Sequence, residues 1–374
     1  LNRFAFSFIL LTLSFHSACN SQFPADPPLD EQIGAMLMVG FRGFEVADNS
    51  HIVRDIRDYH LGGVILFDYD VPASSSDRNI QSADQVRRLN RQLQELAGGS
   101  LMIAVDQEGG RVARLKEVRG FPKTLSAQAL GSTGSTEQTM KQAVEQGALL
   151  HDLGFTINFA PVVDVNTNPE NPVIGRLERS YSTSPQLVTE HAKATLDAFH
   201  RHGVTGVIKH FPGHGSAWND SHVGMADVTD TWEPIELKPY KDLIASGSVK
   251  AIMTAHVFNE NLDPDFPATL SPKVIQEMLR DSMGFDGLVF SDDMQMDAVR
   301  EFYGLETTIR QAILARVDVL VFANNSVYDP NIVPKAVAII KKLVEDGVIT
   351  KERIHESWVR IQKQIEEQGN FSGM

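Results

Sequence analysis

The sequence predicts an α/β chain folded as a single-domain (β/α)8 TIM-type barrel. Three observations carry that expectation. Eight short apolar runs recur with little polar alternation, stretches of helical spacing lie between them, and polar side chains stand at the ends of six runs. Runs without alternation suit strands buried on both faces. Strand then helix, eight times over, closes a parallel barrel whose chemistry gathers at the C-terminal strand ends. A doubly wound open sheet has the same local pattern, but no glycine-rich dinucleotide fingerprint follows the first run.

In chain order the runs are AMLMVGF (35–41), GGVILFD (62–68), SLMIAVD (100–106), FTINFAP (155–161), GVIKHF (206–211), KAIMTAH (250–256), GLVFSDD (287–293) and VDVLVFA (317–323). Helical spacing marks SADQVRRLNRQLQEL, TEQTMKQAVEQGALLHDLG, LVTEHAKATLDAFHRHG and SPKVIQEMLRDSMG. Gly154 and Gly203 stop two of these, as glycine does at helix C-termini. The segment DGVITKERIHESWVRIQKQIEEQ reads as a turn and a closing amphipathic helix, and no second domain is expected.

Composition narrows the function classes. Apolar residues make up 42% of the 374 residues, enough for a sizeable core. There are 34 Lys+Arg against 48 Asp+Glu, a formal net charge of −14. Phosphate backbones would be repelled, so no nucleic acid partner is expected. The start of the chain is different in kind. Arg3 precedes FAFSFILLTLSF, 12 uncharged residues, too short to span a bilayer but suited to a signal-peptide apolar region. Cys19 is the only cysteine, preceded by Ser17 and Ala18, which resembles a bacterial lipoprotein cleavage box with His16 in place of the usual Leu. The expected organisation is a signal peptide of lipoprotein type (1–18), a Pro-rich tether (19–30) and the barrel (31–374). The protein would be exported, periplasmic or membrane-anchored, and would meet a membrane only through a lipid at Cys19.

The polar strand ends are Asp68, Asp106, Asp164, Lys209 with His210, His256, and Asp292 with Asp293. Six around one rim suggest a pocket for a polar ligand. The loop KHFPGHGSAWNDSH (209–222) adds His214, Asp220 and His222. His210, His214, Asp220 and His222 are possible metal ligands. Phe-Pro-Gly between the first two argues against helical ligand spacing, so neither a metal nor any cofactor is expected. His214 reads as a loop-bracing histidine. Asp220 stands two residues before His222, where a carboxylate could orient the imidazole and tune it near neutral pH. Such a base needs a partner, and Asp292 at a strand end is the candidate. Strand parity groups Asp292 with Leu288 and Phe290, and Asp293 with Val289 and Ser291, without saying which set faces inward. His256 fits a pocket or a structural role equally.

At KHFPGHG followed by DSH, the chain resembles the bacterial β-N-acetylglucosaminidases of glycoside hydrolase family 3. DQEGGRVAR (106–114), VIG...ERSYS (173–182) and GFDGLVFSDDMQMDAV (284–299) are similar to that family in the same order, and the resemblance spans roughly residues 31 to 360. It implies a retaining glycosidase with Asp292 as nucleophile, His222 as general acid/base and Asp220 as its dyad partner. It further implies that Asp106, Arg114, Arg179, Lys209 and His210 hold the sugar at the innermost subsite. Asp293 then reads as a bracing or helix-capping group. The implied substrate is a GlcNAc-containing oligosaccharide or muropeptide. Two-domain β-glucosidase relatives draw a glutamate from a second domain, for which no room is expected here.

The chain departs from the family pattern in two ways. VIGRLERSYS is two residues longer than the usual motif, and an export signal is at odds with cytoplasmic wall recycling. Two rivals share the site: a phosphorylase, since a histidine acid/base does not repel an anionic nucleophile, and a non-catalytic amino-sugar-binding lipoprotein.

Overall fold

The computed structural model describes residues 26–221 and 224–369. The expected leader, Cys19 and His222 lie outside the described residues. Eight strands form the barrel: β1 (Leu37–Gly40), β2 (Gly63–Leu66), β3 (Met102–Val105), β4 (Ile157–Asn158), β5 (Thr205–Phe211), β6 (Ala251–Thr254), β7 (Leu288–Phe290) and β8 (Leu320–Phe322). Each pairs in parallel with its sequence neighbour, and β8 pairs with β1. A bridge between Phe290 and Val319 joins β7 to the start of β8 and closes the ring. Every residue of these strands is buried, which is why the sequence shows runs rather than alternation.

The helices follow from local signals. Ser82 accepts a hydrogen bond from Gln85 N and caps the helix Ala83–Leu96, which buries Val86, Leu89 and Leu93 at helical spacing. The helices Glu137–Asp152 and Pro185–Arg201 end just before Gly154 (φ +82°) and Gly203 (φ +69°). Both glycines take the left-handed conformation that L side chains disfavour.

Two boundaries differ from the sequence reading. The tether expected over 19–30 gives way to a helix at Leu29–Ala35, entered from Pro28 with Asp30 and Glu31 in its first turn. Acidic residues favour that end of a helix, and this one packs on the helices Ile332–Glu345 and Lys351–Gly369. The fourth run is strand only at Ile157–Asn158. Beyond it the Asn158 amide stands in for the ladder, accepting from Gln107 N at 2.9 Å and donating to Gln107 O at 3.0 Å.

At the N-terminal end of the barrel, buried Asp318 accepts from Arg280 Nη2 at 2.6 Å, Ser357 Oγ at 2.7 Å and Val289 N at 3.0 Å. This knot fastens the start of β8 to β7 and to the last helix.

Candidate active site

A cavity of about 280 Å3, open at its mouth, lies at the C-terminal end of the strands. Lys209, Asp106, Arg114, Arg179, His210 and Asp292 line it, with Phe67, Phe159 and Met253 among its apolar walls.

The strand register decides which residues point inward. Paired residues on neighbouring strands share a face. Val321 pairs with Met38, Met38 with Gly63, Gly63 with Met102, Ala104 with Ile157 and Ile157 with Thr205. Val207 pairs with Ala251, and Phe290 with Met253. Phe290 also bridges Val319, two residues before Val321, so the set closes on itself. Lys209, Met253, Phe290 and Val321 therefore face one interior. Phe290 meets the ring of Phe159 edge-on there, with centroids 5.5 Å apart. Asp292 continues the same parity and reaches the cavity. Asp293 also borders the cavity, but its Oδ1 accepts from Gln295 N at 3.1 Å and from Ala323 N at 3.0 Å. It ties the loop after β7 to the end of β8. His256 approaches the Asp293 carbonyl with Nε2 at 3.0 Å.

The other wall is a chain of alternating charge. Lys209 reaches Asp106 and Glu108, each at 2.7 Å. Arg179 grips Glu108 through Nε at 2.8 Å and Nη2 at 2.7 Å, and donates Nη1 to Val173 O at 2.9 Å. Arg114 lies 3.6 Å from Asp106 and 3.9 Å from Asp68, which Lys116 contacts at 2.6 Å. Burial alone would raise the carboxyls of Asp106 and Glu108. Lys209 and Arg114 outweigh it for Asp106, and Arg179 and Lys209 for Glu108, so both are held below the usual carboxylate range.

Glu108 went unrecognised in the sequence reading. It lies in a hairpin of Gln107–Gly109 and Val112–Ala113. Gly109 ends its first strand at φ +114°, where a Cβ would stand 2.3 Å from Leu125 O. Glu108 stands within the DQEGGRVAR motif, so an acid two residues past Asp106 was the available signal.

Asp164 organises the histidines. Its Oδ2 meets His210 Nδ1 at 2.7 Å, and its Oδ1 accepts from His210 N at 3.2 Å and His214 N at 2.8 Å. With Nδ1–H given to Asp164, His210 Nε2 accepts from Arg179 Nη2 at 3.3 Å. His214 is buried against His210 and approaches Ser221 Oγ at 3.2 Å, which accords with its reading as a loop brace. Burial, then the neighbouring His210, pushes its imidazole down to about 4.

The structure thus brings Asp106, Arg114, Arg179, Lys209, His210 and Asp292 to one cavity. The two extra residues of VIGRLERSYS leave Arg179 in it. Asp220 is half-buried near the end of the loop after β5 and is not among the cavity-lining residues. Among the described residues no group of His, Cys, Asp and Glu side chains has a metal-binding arrangement.

Fold and site define a parallel-barrel protein whose pocket, at the C-terminal strand ends, is lined by carboxylates and cations. The chain belongs to the family described as the glycosyl hydrolase family 3 N terminal domain, which matches residues 28–364. It is 36% identical over 299 residues to a beta-hexosaminidase of Tolumonas auensis, covering 77% of this chain and 83% of that one. It is 32% identical over 331 residues to beta-hexosaminidase A of Pseudoalteromonas piscicida, covering 82% of this chain but 54% of the relative. Among solved structures, a glycoside hydrolase family 3 beta-N-acetylglucosaminidase from a Paenibacillus species superposes with a TM-score of 0.84 at 35% identity. That match covers 92% of this chain and 63% of the solved one. The chain therefore spans about half to two thirds of the length of these last two proteins.

Proposed function

We propose that this protein is a retaining exo-β-N-acetylglucosaminidase that removes terminal, non-reducing β-linked GlcNAc from peptidoglycan fragments or other GlcNAc glycans. The observation that carries this reading is the inward position of Asp292 at the end of β7, in one cavity with Asp106, Arg114, Lys209, Arg179 and His210. The names of the relatives supply the sugar: beta-hexosaminidase and beta-N-acetylglucosaminidase.

A retaining hydrolase needs a nucleophile beneath the anomeric carbon and an acid at the leaving oxygen. In this reading an Asp292 carboxylate oxygen attacks the anomeric carbon as the bond to the aglycone oxygen breaks. His222 gives that oxygen its proton, and Asp220 orients the imidazole. Water then attacks the glycosyl-enzyme, His222 takes a proton from it, and Asp292 leaves as carboxylate. Arg114, Lys209 and Arg179 present donors to the sugar hydroxyls, and Asp106 presents an acceptor. Because Asp106 and Glu108 stay ionised and Asp164 fixes the His210 ring, these groups are aligned before substrate arrives.

The test compares an aryl β-N-acetylglucosaminide with the matching β-glucoside, using wild type and Asp292→Ala. Release from the acetamido sugar alone, abolished by the substitution, is expected. Undiminished turnover by the variant would overturn the assignment and direct attention to Asp293.

A further inference from the structure

Behind the loop that follows β5 sits a carboxyl that the proposed mechanism does not use. Glu236, in the short 3-10 turn Pro234–Leu237, is fully buried. Its Oε2 accepts the Gly215 N–H at 2.9 Å, and the adjacent Ser216 hydroxyl also favours its ionised form. Two glycines make the approach possible. A Cβ on Gly213 would stand 2.8 Å from Glu236 Oε2, and one on Gly215 would stand 3.3 Å from it.

The same loop is held from other sides. Asp164 takes the His214 N–H at 2.8 Å. Asn171 Nδ2 donates to the carbonyls of His214 and Gly215 at 2.7 and 3.2 Å, and Trp232 Nε1 to that of Pro212 at 3.3 Å. Among the described residues Glu236 is the carboxylate that accepts from Gly215, midway between His210 and Asp220 in the chain.

A buried carboxyl costs stability. Burial, with Asp164 nearby, pushes Glu236 up to about 7. Packing therefore does not require an acid at this position. An acceptor aimed at Gly215 is what the site requires.

We propose that Glu236 is a positioning residue: through the Gly215 N–H it sets the course of the loop Pro212–Ser221, and thereby the delivery of the proton from the segment that continues into His222. This rests on the acid/base reading above. The loop carries the acid but not the nucleophile, so a fault in its course harms leaving-group protonation more than attack by Asp292.

The experiment measures kcat/KM on two substrates with Glu236→Ala, Glu236→Gln and, as reference, His222→Ala. A dinitrophenyl β-N-acetylglucosaminide needs little protonation to depart, whereas the β-linked GlcNAc disaccharide needs it. His222→Ala is expected to lose about 10²- to 10⁴-fold on the disaccharide and far less on the dinitrophenyl glycoside. Glu236→Ala is expected to follow the same pattern, losing about tenfold or more on the disaccharide only. Glu236→Gln keeps an acceptor for Gly215 and restores most of the loss. Equal losses on both substrates, no loss, or a glutamine variant as poor as alanine overturns the proposal. If His222→Ala discriminates between the substrates and Glu236→Ala does not, this proposal alone falls. If His222→Ala does not discriminate, the acid/base reading falls and takes this one with it.

Discussion

Glu108→Gln isolates what the charged wall contributes. The glutamate accepts from Arg179 Nε and Nη2 and lies 2.7 Å from Lys209 Nζ, and all three side chains are nearly buried. Glutamine keeps the shape, loses the charge and turns an amide N–H toward a cation. Removing one partner of a buried ion pair costs about 3–5 kcal/mol. Lys209 keeps Asp106 and Arg179 keeps Val173 O, so the lower end, about 3 kcal/mol, is expected for stability. The cations proposed to hold the sugar lose their alignment as well, so kcat/KM should fall by about 100-fold, close to 2.7 kcal/mol, mainly through KM. The pH dependence has a defined sign. Glu108 is held below its ordinary value of 4.5 in the folded protein, so its contribution is complete above that pH and is lost on further acidification. Urea unfolding of wild type and variant should therefore show a gap at neutral pH that narrows in acid. A gap that stays constant through the acid range, or a variant with wild-type kcat/KM, would refute the reasoning.

Two further substitutions separate bracing from chemistry. Asp293→Ala frees the amides of Gln295 and Ala323, and unfolding should show a loss of roughly 1–3 kcal/mol while measurable hydrolysis survives, unlike Asp292→Ala. Asp318→Ala leaves Arg280 buried without its carboxylate at the far end of the barrel. Thermal or urea unfolding should register about 3–5 kcal/mol with kcat/KM unchanged, and an altered kcat/KM would show that the two ends of the barrel are coupled.

The barrel was legible because strands buried on both faces must be apolar throughout, and each run holds a strand, although strand and run ends differ by a few residues. The orientation of Asp292 was not legible from its own strand. Parity separates two faces but does not say which is inside, and only the register carried through all eight strands does. Asp106 and Lys209 were identified one by one, as polar strand ends first and through the family resemblance second. Their partnership with Glu108 depends on a contact across about a hundred positions, which no local pattern reports. Glu236 had no signal at all, since its importance comes from the backbone N–H it meets.

The charged wall also constrains the ligand. Arg114, Lys116, Lys209 and Arg179 stand among Asp68, Asp106 and Glu108, so each cation of the wall meets at least one carboxylate. Pairing of this kind leaves oriented donors without a net field to draw in an anion. Hydroxyl groups gain from such donors, because they exchange hydrogen bonds with water for hydrogen bonds with fixed partners and bring no charge. A phosphate in the same place would need one of the cations released from its carboxylate, at the cost of leaving that acid buried and alone. In the proposed reaction the wall would favour a neutral sugar, with the reacting charge on Asp292 at the end of β7, where the proposed covalent bond would form.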